Sequence, residues 1–491
     1  MNRTLRVAVA CAMAAGLGAC AVKAPAPQVA AQAPAQWQAP LPHNGSRANL
    51  ATWWREQTDT LLADLIDAAQ TVSPTVSSAA SRIAQSRADQ VAAGAALVPN
   101  LDGTGSVSRA NQQSLTPMGT TSQVALQASW EVDLFGANRA ARDAAQARYE
   151  SAQAGWHDAR VSVAAETANQ YFALRACEQL MEVARQDAAS RADTARLTEL
   201  SAGAGFESPA NLALARASAA DGNSRYLAQR ASCDVNVKAL VALTAMAEPE
   251  LRRRLAGNAN AGASASIGNA AAGDGAGAGA GASITSAATM PAFSVTELPA
   301  QTLAQRPDVF TAEREVAAAS AEVGSARAQR YPRLTISGAV GIANFHSGGV
   351  NTKTDTWNIG PVSVSVPIFD AGRRRANEDA ASARYDAAVV SYRATVRQAV
   401  SDVEQAMVNL DSTAQRAIDA STATQGYRAN FNAVEQRYQN GMASLFELED
   451  ARRTRLAAEQ NQVTLARERN AAWVALYRAA GGGWTAPATN N

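Results

Sequence analysis

From Val124 to Leu134 the even positions are apolar (Val124, Leu126, Ala128, Trp130, Val132, Leu134), and Gln127, Ser129, Glu131 and Asp133 sit between them. A period of two over about eleven residues predicts a strand with one apolar face, long enough to cross hydrocarbon when tilted. Leu334, Ile336, Gly338, Val340 and Ile342 repeat the pattern against Thr335, Ser337, Ala339, Gly341 and Ala343. Val362, Val364, Val366 and Ile368 do so against Ser363, Ser365 and Pro367, and a weaker Leu101-Gly103-Gly105-Val107 series pairs with the first segment. Two hairpins follow, with polar loops near residues 110–121 and 346–356.

Between and after these segments the period changes. Ala137 to about Leu200 contains no Pro and one Gly, Gly155. Such a helix reaches on the order of 95 Å. A second runs from Pro209 to about Leu243, and the plan recurs from Arg373 to Tyr438 and from Leu445 to Arg478. The apolar stripes are narrow and set in alanine, which suits helices packed side by side in a one-layer wall. A free coiled coil is the plainer alternative, but it has no use for the strands.

The two halves are copies. Residues 143–149 and 379–385 differ only at Gln146 and Ser382, and Gly136/Gly372, Arg139/Arg375, Trp156/Tyr392, Gly205/Gly441 and Ser208/Ser444 all keep a spacing of 236. A duplicated strand-and-long-helix unit predicts two equivalent halves that cannot bury themselves as a globule. Four strands cannot close a transmembrane cylinder, whose smallest examples use about eight, and lipid does not tolerate an open edge. Several copies must therefore combine, as a dimer or a trimer. A half-buried sheet in a soluble α+β domain is the competing reading.

Composition narrows the class. Lys and Arg number 44 against 43 Asp and Glu, and aromatics are 5%, so neither a nucleic-acid footprint nor a large compact core is indicated. Past the first twenty residues no run of about eighteen uncharged apolar residues occurs, which leaves strands as the means of crossing a membrane. Arg3 and Arg6 precede an apolar stretch from Val7 to Leu17, the form of a secretory signal over residues 1–19. Leu17-Gly18-Ala19-Cys20 resembles a bacterial lipobox, which implies a covalent lipid on Cys20, and Ala21 after it implies sorting to the outer membrane. An ordinary signal with an incidental cysteine is the alternative. Residues 21–44, rich in Ala, Pro and Gln, read as a tether, and about Gly257 to Ala288 as a Gly/Ala/Ser insertion.

The helical turns hold the more specific chemistry. Gly205 and Gly441 end one helix in each half, and Ser208 and Ser444 cap the next. Ser444 and Glu447 are spaced as a capping box. Cys177 and Cys233 stand level about Gly205, since 205 − 177 and 233 − 205 both give 28, which allows an interhelical disulfide in an oxidising compartment; two buried free thiols are the alternative. His43, His157 and His346 lack metal-ligand spacing, and no P-loop or nucleophile motif appears, so no metal, other cofactor or catalysis is expected. Trp130, Phe135, Trp357 and Phe369 are candidates for an interfacial girdle, ordinary packing being the alternative.

Trp130-Glu131-Val132-Asp133-Leu134-Phe135-Gly136, Arg306-Pro307-Asp308 with Ala312-Glu313, Pro367-Ile368-Phe369-Asp370-Ala371-Gly372-Arg373, and Leu476-Tyr477-Arg478 with Gly481-Gly482-Gly483-Trp484 resemble the TolC-like outer-membrane factor family, in particular its NodT-type efflux lipoprotein branch. The resemblance implies an α+β membrane protein: a homotrimer whose twelve-stranded outer-membrane β-barrel, four strands per protomer, continues into a long α-helical periplasmic barrel. It divides the chain into a signal peptide (1–19), an anchored tether (20–46), a first repeat (47–243), an equatorial segment (244–298), a second repeat (299–480) and a tail (481–491). It implies a passive export duct for small molecules, of the RND type of tripartite system, docked to a periplasmic adaptor and an inner-membrane pump. The adaptor would meet the tips at Gly205, Ser208, Gly441 and Ser444. Glu447 and Asp450 match two acids that line the entrance, and Tyr438 a residue that ties it shut. A first-turn acid pair answering the helix dipole is the plainer reading of Glu447 and Asp450. A type I secretion conduit and a pore-free coiled-coil scaffold lipoprotein are the other functions considered.

Overall fold

Two 67-residue helices, Ala137–Gly203 (α3) and Arg373–Gln439 (α7), dominate the computed structural model, and their first and last residues are each 236 apart. The structure describes residues 22–31, 33–39, 50, 53–55, 59–112, 116–257 and 299–485; Cys20 and the Gly/Ala-rich insertion lie outside them. The remaining elements include α1 (Thr60–Val72), α2 (Pro74–Ala95), β1 (Asn100–Gln112), β2 (Thr116–Val132), α4 (Pro209–Thr244), α5 (Pro299–Ala304), α6 (Pro307–Ala328), β3 (Arg333–Ser347), β4 (Val350–Ser365) and α8 (Leu445–Ala479). Among the described residues no helix is long and apolar enough to cross a membrane. The chain forms two compact units, and each draws on both repeats.

One unit contains Ala79–Gly155 and Asp308–Val396 with the segment through residue 32. Its sheet is antiparallel in the order β1-β2-β3-β4, so β1 and β4 are its edge strands among the described residues. The strands outrun the expected loops. β1 and β2 extend over most of residues 110–121, and β3 and β4 meet at a two-residue Gly348–Gly349 turn inside the expected 346–356 loop. Both glycines have positive φ, as a type I′ hairpin turn requires. β4 also ends at Ser365, short of Val366 and Ile368. The misreading of β4 has a physical cause. Ile336 pairs with Val362 but Gly338 with Ile359, so β4 carries one extra residue at Gly360–Pro361. This bulge flips the phase, and apolar positions move from Val362 and Val364 to Ile359 and Trp357.

The segment expected to be a tether is laid on the same unit. The carbonyls of Lys23, Pro25 and Ala26 accept hydrogen bonds from Arg327 Nη1 (2.7 Å), Ser320 Oγ (2.7 Å) and Tyr385 OH (2.9 Å). An extended, proline-containing chain leaves its carbonyls unpaired, and the side chains of α6 and α7 take them up.

The other unit contains Ala33–Ser78, Trp156–Pro307 and Arg397–Asn491. Glu404 accepts the amides of Gln38 and Ala39 at 2.7 Å each. The core is aromatic and aliphatic: Trp53, fully buried, stacks on Tyr477 at 5.1 Å, Trp54 meets the same ring edge-on at 4.8 Å, and Leu62, Leu65, Leu174, Leu240, Met407 and Leu476 surround them. Two of the sequence motifs meet here. Arg306, buried, donates to the carbonyl of Ala479 at 3.1 Å and pairs with Asp402 at 3.1 Å, which satisfies the end of α8. Gly481 packs so closely that a Cβ would lie 2.1 Å from the Gln305 carbonyl oxygen. Tyr171, also buried, donates to Asp59, the N-cap of α1, and accepts from Arg175 Nε at 2.9 Å. Burial raises its pKa well above the usual phenol value, and Asp59 adds to the effect.

Cys177 on α3 and Cys233 on α4 are disulfide-bonded, with Cα atoms 5.5 Å apart. The bridge closes a loop with a sequence separation of 56. Chain entropy sets its ceiling at about 4 kcal/mol, and about 2–4 kcal/mol is the usual return. Replacing both cysteines with serine should lower the thermal midpoint of the helical signal accordingly, and thiol labelling of the unfolded native chain should rise by two groups after reduction. Tyr171→Phe strips the buried Asp59 carboxylate of a donor and should cost about 1–3 kcal/mol in the same melt.

Candidate functional site

Cross-strand neighbours share a face, so the register fixes what each side of the sheet presents. One face carries the rows Leu126–Val340–Trp357, Trp130–Ile336–Val362 and Leu334–Val364, and the row Val124–Ile342, which ends on Asp355 of β4 toward the hairpin end. Val124, Val340, Ile342, Trp357, Val362 and Val364 are exposed on a single chain, and Ile359 is 91% exposed. From Leu334 to Ile342 this face is free of charge on β3 and extends about 27 Å along the strand. The opposite face presents Gln127, Ser129, Glu131, Thr335, Ser337 and Asn358. An apolar patch of this extent on a sheet with two open edges is unstable in water.

The second feature is the pair of helical turns. After α3, Phe206 N donates to Ser201 O (2.9 Å) and Gly205 N to Ala202 O (3.0 Å); after α7, Met442 N donates to Arg437 O (2.7 Å) and Gly441 N to Tyr438 O (3.0 Å). Both are Schellman turns with glycine at positive φ. Ser208 Oγ accepts from Asn211 N at 3.1 Å, and Ser444 Oγ from Glu447 N at 3.2 Å. The Glu447 carboxylate in turn accepts from Ser444 N at 3.0 Å, which closes the capping box, and lies 3.8 Å from Arg437. Asp450 pairs with Arg453, and both acids are about half exposed. Thr198 gives its one hydroxyl proton to Thr194 O, so Tyr438 OH, 3.1 Å from Thr198 Oγ1, is the donor that ties α7 to α3 within one chain.

Above the turns four helices share a buried charge cluster that the sequence reading missed. Arg452, fully buried, donates to Glu449 and to Ser190 Oγ and Thr194 Oγ1 (3.0 Å each) and lies 5.7 Å from the Phe431 ring centre. Arg191 pairs with Asp187 at 2.8 Å and with the same Glu449 at 2.6 Å, and donates to Ser218 Oγ on α4 at 2.5 Å. Arg455 covers Phe431 at 4.0 Å, and Arg428 holds Glu459 at 2.8 Å. Burial lowers the pKa of Arg452, and Glu449 opposes that shift. The signal was present in the sequence: Arg452 and Glu459 fall at the spacing of Leu448, Leu456 and Val463, inside an apolar stripe. Also missed were Phe206, Met442 and Phe446, which leave the two turns with exposed apolar side chains. Phe206 and Met442 are repeat equivalents, 236 apart.

Comparison with known proteins fits this geometry. A family model described as outer membrane efflux protein matches residues 65–246 and 298–482. A solvent efflux pump outer membrane protein of Pseudomonas putida is 28% identical over 484 residues, covering 96% of each chain. Nodulation protein T of Rhizobium leguminosarum is 25% identical over 442 residues, covering 89% of this chain and 85% of that one. Among solved structures, the Campylobacter jejuni CmeC outer membrane channel superposes with a TM-score of 0.78 at 22% identity, covering 95% of this chain and 96% of that one. With the match spanning most of its length and both repeats, the chain belongs to the outer membrane efflux protein family.

Proposed function

We propose that three copies close head to tail, β4 of one against β1 of the next, into a twelve-stranded outer-membrane barrel whose helices form a periplasmic duct. The observation that carries this reading is the exposed apolar sheet face bounded by two unpaired edges. Lipid covers the face, and only neighbouring copies can satisfy the edges. Twelve strands lie within the range of such barrels and four do not. A pore-free scaffold leaves the apolar face without a purpose, and nothing in the geometry favours protein secretion over efflux of small molecules.

Within this reading a lipid on Cys20 anchors each copy to the outer membrane, and the first contact of the strap along α6 and α7, at Lys23, lies three residues further on. The two capped turns, with Phe206, Met442 and Phe446 exposed, receive a periplasmic adaptor, and an inner-membrane pump supplies the energy. The protein itself performs no catalysis. Glu447 and Asp450 repeat threefold as acidic rings at the entrance, where stacked like charges concentrate cations. The Tyr438–Thr198 bond and the buried Arg452 cluster hold α7 and α8 against α3, which keeps the entrance narrow.

Purified protein in planar bilayers should give discrete ion-conducting steps and migrate as a heat-modifiable oligomer; a monomer that never conducts would rule the duct out. Glu447→Ala with Asp450→Ala should weaken block of that conductance by divalent cations, whereas unchanged block would remove both acids from the entrance. Glu449→Ala leaves Arg191 and Arg452 buried without their shared carboxylate, a loss of about 3–5 kcal/mol. It should lower thermal stability and raise the resting conductance. Stability lost with conductance unchanged would separate the cluster from the gate.

A further inference from the structure

The polar face of the sheet has one exception. Along β3 that face carries Thr335, Ser337, Ala339, Gly341 and Ala343 before it reaches Phe345, the one aromatic among the described strand positions on this side. Its cross-strand partners are Thr121 and Thr352, both uncharged. The ring lies directly on Gly119: a Cβ there would be 2.4 Å from Phe345 Cζ and 2.5 Å from Cε2. Gly119 is buried beneath it, while Phe345 itself is only half-buried. The ring is therefore seated against the sheet, with part of its surface open on the polar face.

Phe345 stands two residues before the end of β3 at Ser347, next to the Gly348–Gly349 turn and at the opposite end of the strand from the helices. Asp102 and Glu131 lie on the same face near the helical end, with Arg333 as their basic counterpart. On the reading that this face lines a three-copy duct, we propose that Phe345 is a contact site for aromatic and alkyl cations near the outer mouth. Three rings, one per copy, form an apolar collar that such cargo meets last. The face of a phenyl ring attracts a cation and offers apolar area to its substituents, and the flanking threonines place no ammonium or guanidinium there to compete. A cover for a bare glycine is the purely structural role such a ring can play.

The test is block of the single-channel current by tetraphenylphosphonium added from the hairpin side. Phe345→Leu keeps an apolar cover over Gly119 but removes the π face, and should weaken block about fivefold with the current amplitude preserved. Gly119→Ala keeps the phenyl ring but forces it off the wall, and should reduce the amplitude. Lower heat stability of Phe345→Leu with block unchanged would make the ring a structural cover only, and an unchanged amplitude in Gly119→Ala would place it outside the conducting path; either result overturns the proposal. Complete absence of current in the unmodified protein would overturn the duct itself, and this site with it.

Discussion

The unpaired backbone at the two edges of the sheet sets the terms for everything else in this molecule. β1 and β4 each have one side with no neighbouring strand among the described residues, beside a face rich in Val, Ile, Leu and Trp that water does not favour. Either condition alone has ordinary solutions: an edge can be solvated, and an apolar face can be covered by a helix. Here no helix among the described residues packs on the sheet, and a lipid medium that accepts the exposed face leaves the edges unsatisfied. Pairing with further copies removes the conflict. The bulge at Gly360–Pro361 is part of the same solution, since it changes which residues of β4 join the apolar face.

The helical part follows a different economy. Alanine-rich helices on the scale of 100 Å bury little area per residue, so cohesion is gathered at a few places. In the second unit these are the Trp53–Trp54–Tyr477 cluster, the Cys177–Cys233 bridge and the Arg452 charge cluster. The charge cluster differs in kind. A buried ion pair contributes little net stability relative to well-packed apolar groups, yet it is costly to break and tolerates few geometries. That makes it suited to fixing the relative register of α3, α4, α7 and α8.

Much of the architecture was legible in the sequence because periodicity and duplication are directly physical. The period of two from Val124 survives as far as Val132, where β2 ends before Leu134, and the proline-free run after Ala137 and the spacing of 236 survive too, the last to the residue at both ends of α3 and α7. The capping box at Ser444 was also readable, since it depends on local spacing alone. What escaped depended on a change of phase or on tertiary pairing. Reading β4 backwards from Val362 in even steps meets Asn358, Thr356 and Thr354 and looks like loop, although Trp357 and Ile359 continue the apolar face one residue out of step. Arg452 and Glu459 were hidden because a charged residue in an apolar stripe declares itself only when its partners on other helices are known. Glu447 attracted attention for its charge, while its bonds in one chain are those of a cap.

The central claim is that the sheet and the assembly exist together. Its most direct test follows the mass of the lipid-embedded protein and its β-sheet signal in parallel as the assembly is heated. The account predicts a mass of three chains, with the sheet signal lost in the same transition that releases single chains. A single chain that keeps its sheet intact in lipid would contradict it.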